Sequence, residues 1–343
     1  MSLVFFDGFD QYDANSDLFN FGGWTGSYNG GASSFSSTVR SGATGKCAVF
    51  SANSLGIYVT LPEQAAKTVY VGVSINLSSL TVGNPVLSVM TAGDGYQATV
   101  ILTSGNVLSV YRGGGSTLLA SGSIALSAGV WYYVELKALV ADASGILEVK
   151  INGTTDATYT GDTQSQGTNT FTRVAIGGLN SGQACSFDDF YILNSDGSVN
   201  NTYLGEQRVE IITPTSDSTV AWTRNTGATN FSAVDDLIGA PDDDTTYVSS
   251  STSTQKDEYG LSNLVGTASA VAGVKVNTRA EKDDANPLSF KNGIKSGATN
   301  QQVTHTLGQG YSNFIDYFET SDGGSTAFTG TTVNSLLSTI EVV

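Results

Sequence analysis

The chain has 343 residues, which is long enough for two domains with separate cores. Its formal net charge of −16 is shared by both halves, since residues 1–205 carry −7 and residues 206–343 carry −9. Both halves would repel a phosphate backbone, which disfavours nucleic acid as a partner. No run of about 18 apolar residues occurs, so no membrane-spanning helix or membrane partner is expected.

The amino terminus, MSLVFFDGFDQYD, has no basic residue and becomes acidic at Asp7, so it is not typical of a signal peptide. We therefore expect synthesis and folding in a cytoplasm. Cys47 and Cys185 lie in an early and a late strand of the first half. A reducing site of synthesis favours two buried free thiols, and a bridge between the two cysteines stays open as the alternative.

The first half of the chain reads as consecutive strands. The whole chain has 40 glycines and only 5 prolines, a composition that suits short strands joined by tight turns. Strand-like segments recur every 8 to 12 residues or so between Cys47 and Leu193, which is typical of an antiparallel sandwich. A polar, turn-rich segment at 194–206 then predicts a domain boundary, giving domains 1–205 and 206–343.

The clearest strand pattern lies at 129–161. Tyr132, Val134 and Leu136 alternate with Trp131, Tyr133 and Glu135, and the alternation resumes after a turn near 142–145. Such period-two alternation predicts two antiparallel strands with one buried face. The Asn-Gly pair at 152–153 predicts a tight turn into a third strand, and ACSFDDFYILN predicts a later return strand.

These segments resemble a concanavalin A-like, or laminin-G-like, jelly-roll domain. The resemblance rests on the tryptophan-containing strand, the V-x-I-N-G turn and the closing F-D-D-F-Y-I, and it covers residues 1–205. It implies a β-sandwich and leaves function open, because this fold carries lectins, glycosidases and adhesive modules.

The second half continues the strand pattern. GVKVNTRAEK alternates cleanly, and strands follow at 288–297 and 311–320. Near the end, Val333, Leu336, Leu337 and Ile340 recur at helical spacing behind Thr331 or Thr332 as a capping residue, which suits one short helix running into a last strand. The sequence therefore predicts an all-β protein: a jelly-roll sandwich, then a second, smaller β-sandwich with one short carboxy-terminal helix.

This second half resembles a module of virion structural proteins in tailed bacteriophages. The resemblance rests on LGEQRVEIITPTSDSTVAWTRNTGATNFSAVDD, PDDDTTYVSSSTSTQKDEYGLSNL, GVKVNTRAEKDD and the terminal VNSLL-x-x-IEVV. It spans about residues 204–343 and implies a structural role in a virion. It supplies no catalytic residues.

No catalytic constellation is recognisable in the sequence. Glycosidases of the concanavalin A-like class carry two carboxylates on one strand, whereas Glu135 stands alone between apolar residues. His305 is the only histidine and is expected at a surface or turn position, and no G-x-S-x-G elbow occurs. We therefore predict that the chain is not an enzyme.

Two kinds of ligand site are candidates. Calcium could bind acidic turns, with Asp188, Asp189, Asp242, Asp243 and Asp244 as the candidate ligands, although such aspartates are also ordinary loop residues. Sugars could stack on Trp24, Trp131 and Tyr133, and further aromatic candidates are Tyr28, Tyr58, Tyr96 and Trp222. Packing is the competing explanation for every one of these rings.

The function expected from the sequence is a structural protein of a tailed-phage virion, made in the cytoplasm of a bacterial host. It would be displayed as a head-decoration protein or as a tail or fibre component, with other virion proteins as partners. The alternative is a carbohydrate-binding adhesin that recognises a host surface glycan. Aromatic residues on nominally outer faces also favour a homo-oligomer, for which a trimer is the first expectation.

Overall fold

The computed structural model describes the chain except for residues 1, 29, 31, 33, 41–44, 52–55, 65–66, 178–183, 267 and 286–287. It divides the chain into two compact units, Met1–Val209 and Glu210–Val343. The described part is almost entirely β-structure, as the sequence predicted. Within the described residues, neither helix is long and apolar enough to cross a membrane.

The first unit contains one short helix, α1 (Asn15–Asn20), and 15 described strands. The strands are β1 (Leu3–Asp7), β2 (Gly26–Tyr28), β3 (Ser34–Ser36), β4 (Cys47–Phe50), β5 (Gly56–Thr60), β6 (Val69–Leu77), β7 (Pro85–Met90), β8 (Tyr96–Thr103), β9 (Val107–Arg112), β10 (Thr117–Ser121), β11 (Trp131–Leu139), β12 (Gly145–Ile151), β13 (Thr154–Gly161), β14 (Arg173–Ile176) and β15 (Cys185–Asn194). The helix was not predicted, because only Asp17, whose carboxylate accepts from two backbone N–H groups ahead of the helix, marks its start.

The strands of the first unit form two antiparallel sheets. Sheet A has the order β13-β12-β11-β6-β15-β4-β3, with β1 also paired to β15, and sheet B has the order β10-β9-β8-β7-β14-β5-β2. Each sheet buries its inner face, as Val71 and Val73 show in sheet A and Val89 and Val174 in sheet B. The predicted jelly-roll sandwich is confirmed.

The predicted hairpin at 129–161 is present in sheet A. Leu136 of β11 pairs with Val149 of β12, and both side chains are buried. Asn152 and Gly153 adopt φ values of 49° and 79°, the left-handed conformation that a two-residue turn between twisted strands requires. The Asn-Gly pair therefore sets the register beside the turn, where Ile151 pairs with Thr154, and an irregularity between Lys150 and Val149 shifts the register further along.

Residues 203–209, which we term the connector, pack on the outer face of sheet A. The ring of Tyr203 meets Tyr70 edge-on at 5.0 Å between centroids, and the Gly205 N–H donates to Glu135 at 2.9 Å. Arg40 donates to the Glu206 carboxylate and to the Gln207 carbonyl oxygen. The polar composition of 194–206 indicated a linker, but these contacts hold the chain on the first unit as far as residue 209.

The second unit consists of strands, one 3₁₀ turn at 231–233 and a short helix. The bounds are β16 (Pro214–Thr219), β17 (Thr223–Arg224), β18 (Val248–Ser249), β19 (Lys256–Leu261), β20 (Val274–Ala280), β21 (Ser289–Ser296), β22 (Thr299–Thr306), β23 (Ser312–Phe318), α2 (Gly330–Val333) and β24 (Leu337–Val342). The five-stranded sheet has the order β16-β19-β24-β21-β22, and β17 pairs with β18 and β20 with β23.

The carboxy-terminal helix is shorter than its periodicity predicted. Thr329, not Thr331 or Thr332, is the N-cap, and its hydroxyl accepts from the Thr332 N–H at 3.1 Å. The predicted last strand is present as β24, and it contains Leu337 and Ile340, which the periodicity had placed on the helix. Residues spaced i and i+3 satisfied a helical pattern by coincidence, since pairing with β19 and β21 decides the conformation of this segment.

Both cysteines are buried free thiols in the structure. Cys185 pairs with Phe50 across β15 and β4. Cys47 is an odd number of residues from Phe50 on the same strand, so its side chain points to the opposite face of the sheet. The two sulfur atoms are therefore not positioned for the bridge that adjacent strands had left open.

Candidate functional site

Sheet B brings three of the sequence-identified tyrosines to its outer face. In the pairing register, Gly26 of β2 faces Tyr58 of β5, and Tyr58 faces Ala175 of β14. Tyr28 lies two residues beyond Gly26, so period-two alternation places it on the same face as Tyr58. The face opposite to Tyr58 is the core, where Ile57 and Val59 are buried.

The same face continues across β7 and β8. Ala175 pairs with Ser88, and Met90, two residues beyond Ser88, pairs with Tyr96 of β8. Met90 and Ala175 are buried, and Tyr28, Tyr58 and Tyr96 pack against them while remaining half-buried. We term these three half-buried rings the tyrosine platform.

Arg173 lies over the Tyr58 ring of the platform. Its guanidinium carbon is 4.6 Å from the centroid of the Tyr58 ring, and the Tyr28 and Tyr58 rings are 5.0 Å apart with an interplanar angle of 40°. A cation above an aromatic face contributes about 0.5–2 kcal/mol, depending on how far it is removed from water. Arg173 thus holds the Tyr58 ring in place.

Asp94 supplies the acidic group of this site. It lies in the turn between β7 and β8 with a φ of 64°, and it forms an ion pair with Arg173. The Tyr28 hydroxyl donates to its Oδ1 at 2.8 Å. Burial, together with the neighbouring carboxylate, raises the pKa of Tyr28 far above its ordinary value. The phenol therefore stays neutral and remains a donor to Asp94.

Two buried polar atoms on this face lack a hydrogen-bond partner among the described residues. They are the Oγ of Ser88, a residue with no exposed surface, and the Nε of Arg173. The site as a whole combines aromatic rings, a paired carboxylate and a guanidinium over a buried floor. Rings of this kind stack on the apolar faces of sugars, and the polar pair can hydrogen-bond sugar hydroxyls.

The three rings that the sequence singled out for stacking are not brought together. Trp24 is 2% exposed, because its ring packs between Phe9 and Phe190 in the core and its Nε1 donates to Asp7 at 2.8 Å. Tyr133 is 3% exposed on the outer face of sheet A. The prediction of exposed stacking faces is therefore wrong for both. Trp24 is a core residue, and the outer face of Tyr133 is covered by the connector, which period-two alternation does not reveal.

Trp131 is half-buried on β11 of sheet A. It belongs to the sheet opposite the tyrosine platform and shares no strand pair with it. Glu135, on the same strand, is buried and accepts from the Tyr191 hydroxyl at 2.6 Å and from Gly205 N–H. These contacts give Glu135 a structural role beneath the connector.

The aspartates predicted as calcium ligands have separate partners. Asp189 is buried and forms an ion pair with Arg40 at 2.8 Å. Burial first, and then the neighbouring carboxylates of Asp189 and Asp10, raise the pKa of Asp188 to about 9. In the second unit the partners are Thr246 for Asp242, Arg279 for Asp243 and Tyr311 for Asp244.

Among the described residues, no group of three or more His, Cys, Asp or Glu side chains is placed to hold a metal ion. His305, expected at a surface or turn position, instead lies on β22, partly buried, with its Nε2 2.8 Å from Asp316. His305 thus lies on an edge strand and not in a turn, and its side chain is partly exposed.

No protein-family model matches the sequence, and a search of curated proteins found no relative. Solved structures with a similar fold include Domain 4 of AbnA, a GH43 extracellular arabinanase from Geobacillus stearothermophilus, solved in complex with arabinotriose. That similarity has a TM-score of 0.40, 20% identity, and covers 56% of this chain and 92% of that one. Cellulose induced protein, Cip1, gives 0.39 and 17%, covering 53% and 95%. An endo-β-1,4-glucuronan lyase from the fungus Trichoderma reesei gives 0.37 and 13%, covering 52% and 97%.

These similarities concern the fold. They nevertheless correct one expectation from the sequence, namely that the chain is not an enzyme. The proteins with a similar fold include a glucuronan lyase, an alginate lyase and a sialidase, so that expectation is contradicted and is withdrawn.

Proposed function

We propose that the first unit is a carbohydrate-binding adhesin module, and that the tyrosine platform on sheet B is its glycan site. The observation that carries this proposal is the grouping of Tyr28, Tyr58 and Tyr96 on one outer face beside the Arg173–Asp94 ion pair. Half-buried rings keep one edge or face available to a ligand while their neighbours fix their orientation.

A glycan array probed with the full chain tests this proposal. We expect binding to at least one glycan, and Tyr58→Ala should weaken that binding about tenfold, which corresponds to about 1.4 kcal/mol of lost stacking. Tyr247→Ala is the matched control, because Tyr247 is an exposed tyrosine of the second unit. A folded protein that binds no glycan, or equal binding by both variants, contradicts the proposal.

For the whole chain we propose a role as a structural protein of a tailed-phage virion, either as a head-decoration protein or as a tail or fibre component. Support comes from the resemblance of residues 204–343 to a phage structural module, a stretch that corresponds closely to the second compact unit. In this setting the first unit would be displayed at the virion surface, where a host glycan is the ligand. The proposed partners are other virion proteins and two further copies of this chain, which would form a trimer.

Antibody labelling of intact particles in negative stain tests this second proposal. Labelling in tens to hundreds of positions over the head indicates a decoration protein, and a few positions at the tail indicate a fibre. Particles that carry no label contradict it. Mass photometry of the purified chain tests the oligomer, since a single 35.6 kDa species at nanomolar concentration contradicts an obligate trimer.

A further inference from the structure

The charge of the tyrosine platform narrows the class of glycan that it can take. Asp94 has 58% of its side-chain surface exposed, whereas Arg173 has 18% and its Nε is buried. The polar group most open to an incoming ligand is therefore a carboxylate, which is a hydrogen-bond acceptor. Groups that donate, such as sugar hydroxyls, complement it.

The positive charge at the site is already matched. The guanidinium of Arg173 pairs with the Asp94 carboxylate, and the Tyr28 hydroxyl donates to the same oxygen. A ligand carboxylate could reach Arg173 only by displacing Asp94 or by lying beside it. Either arrangement sets two like charges close together or leaves Asp94 without its cation, and both are unfavourable.

The net charge of the first half of the chain also disfavours an anionic glycan. Residues 1–205 carry a net charge of −7, so an anionic chain approaches against the field of the domain. A neutral sugar meets no such barrier and can donate hydroxyl hydrogens to Asp94 while the ion pair stays intact. Resting on the proposed function, we infer that the platform takes a neutral, hydroxyl-rich glycan and discriminates against uronates, with Asp94 as the residue that sets this specificity.

Matched pairs of tetrasaccharides that differ only at C6 test this inference. Glucose, galactose and mannose oligomers are compared with the corresponding glucuronate, galacturonate and mannuronate oligomers in titrations with the full chain. At low ionic strength, about 20 mM, we expect every neutral oligomer that binds to do so at least tenfold more tightly than its uronate partner. Raising the salt should narrow this preference, because screening shortens the range of the repulsion.

Two substitutions separate the local charge from the net charge. Asp94→Asn removes the exposed carboxylate and leaves Arg173 without its partner, so uronate affinity should rise about tenfold. Asp142→Asn, in the turn between β11 and β12 of the other sheet, changes the net charge equally and should leave the preference unaltered. Tighter uronate binding by the wild-type chain, or equal effects of the two variants, overturns this inference while leaving glycan binding intact. A chain that binds neither member of any pair overturns the proposed function itself.

Discussion

Removing the carboxyl group of Glu135 should strongly destabilise the first unit. Glu135 is 1% exposed, and its Oε1 accepts from the Tyr191 hydroxyl at 2.6 Å and from the Gly205 N–H at 2.9 Å. Glu135→Ala leaves two donors, the buried Tyr191 hydroxyl and the partly buried Gly205 N–H, without this acceptor. Each such donor costs about 1–3 kcal/mol, so we expect a loss of about 3 kcal/mol or more in the free energy of unfolding.

Denaturant titration followed by tryptophan fluorescence measures this loss. A Trp222→Phe background removes the tryptophan of the second unit, so that Trp24 and Trp131 report on the first unit alone. Glu135→Gln is the matched control, because its amide oxygen can accept both hydrogen bonds, and it should cost about 1 kcal/mol.

Hydrogen exchange gives a local readout of the same substitution. The Gly205 amide should exchange faster in Glu135→Ala than in Glu135→Gln, because only the alanine variant lacks its acceptor. The double variant with Glu135→Ala and Tyr191→Phe should lose less free energy of unfolding than the sum of the two single variants, because both substitutions remove the same hydrogen bond. A loss below 0.5 kcal/mol in Glu135→Ala, taken as about the size of an ordinary surface substitution, would refute this account of the connector.

Three further changes have outcomes that the structure fixes in sign. Burial is the larger cause and neighbouring acids the smaller one that raise the pKa of Asp188 to about 9. Asp188→Asn should therefore stabilise the fold at pH 7 in denaturant titrations. The same substitution should have no effect below about pH 4, where Asp188 is protonated in both states. Burial alone would raise the pKa of Glu258, but hydrogen bonds from two lysines hold that pKa at about 2. The ionised carboxylate therefore stabilises the fold above about pH 4.5, and this stabilisation is lost as the pH falls towards 2. In thermal melts, Glu258→Gln should remove this acid-dependent loss. Cys47 and Cys185 should react with a thiol reagent only after unfolding, and reductant should not change the Tm.

The parts of the fold that could be predicted are those in which neighbouring residues alone determine the conformation. Alternation with the turn near 142–145 fixes the hairpin of β11 and β12, and the Asn-Gly turn at 152–153 fixes that of β12 and β13, without help from distant residues. The carboxy-terminal segment is the opposite case. Its helical spacing is real, yet β24 forms because two strands distant in sequence pair with it. Long-range pairing is the part that a local pattern cannot supply.

In the candidate site, the residue types could be recognised in the sequence, but their grouping in space could not. Tyr28, Tyr58 and Tyr96 were recognisable as aromatic candidates, but their meeting depends on the order of β2, β5 and β8 in sheet B, which no local pattern specifies. Trp131 and Tyr133 were predicted as stacking residues because period-two alternation places both on the outer face of one strand. The connector that covers the face of Tyr133 lies some 70 residues later in the chain, and its polar composition gave no sign of that contact.

Ring resonances of the tyrosines during a glycan titration test the central claim most directly. With selectively labelled tyrosine and the tightest array ligand, we expect the signals of Tyr28, Tyr58 and Tyr96 to shift together with one dissociation constant. Those of Tyr247 and Tyr311 in the second unit should not move. Shifts confined to other tyrosines, or binding that leaves all three platform rings unperturbed, would contradict the assignment of the glycan site to sheet B.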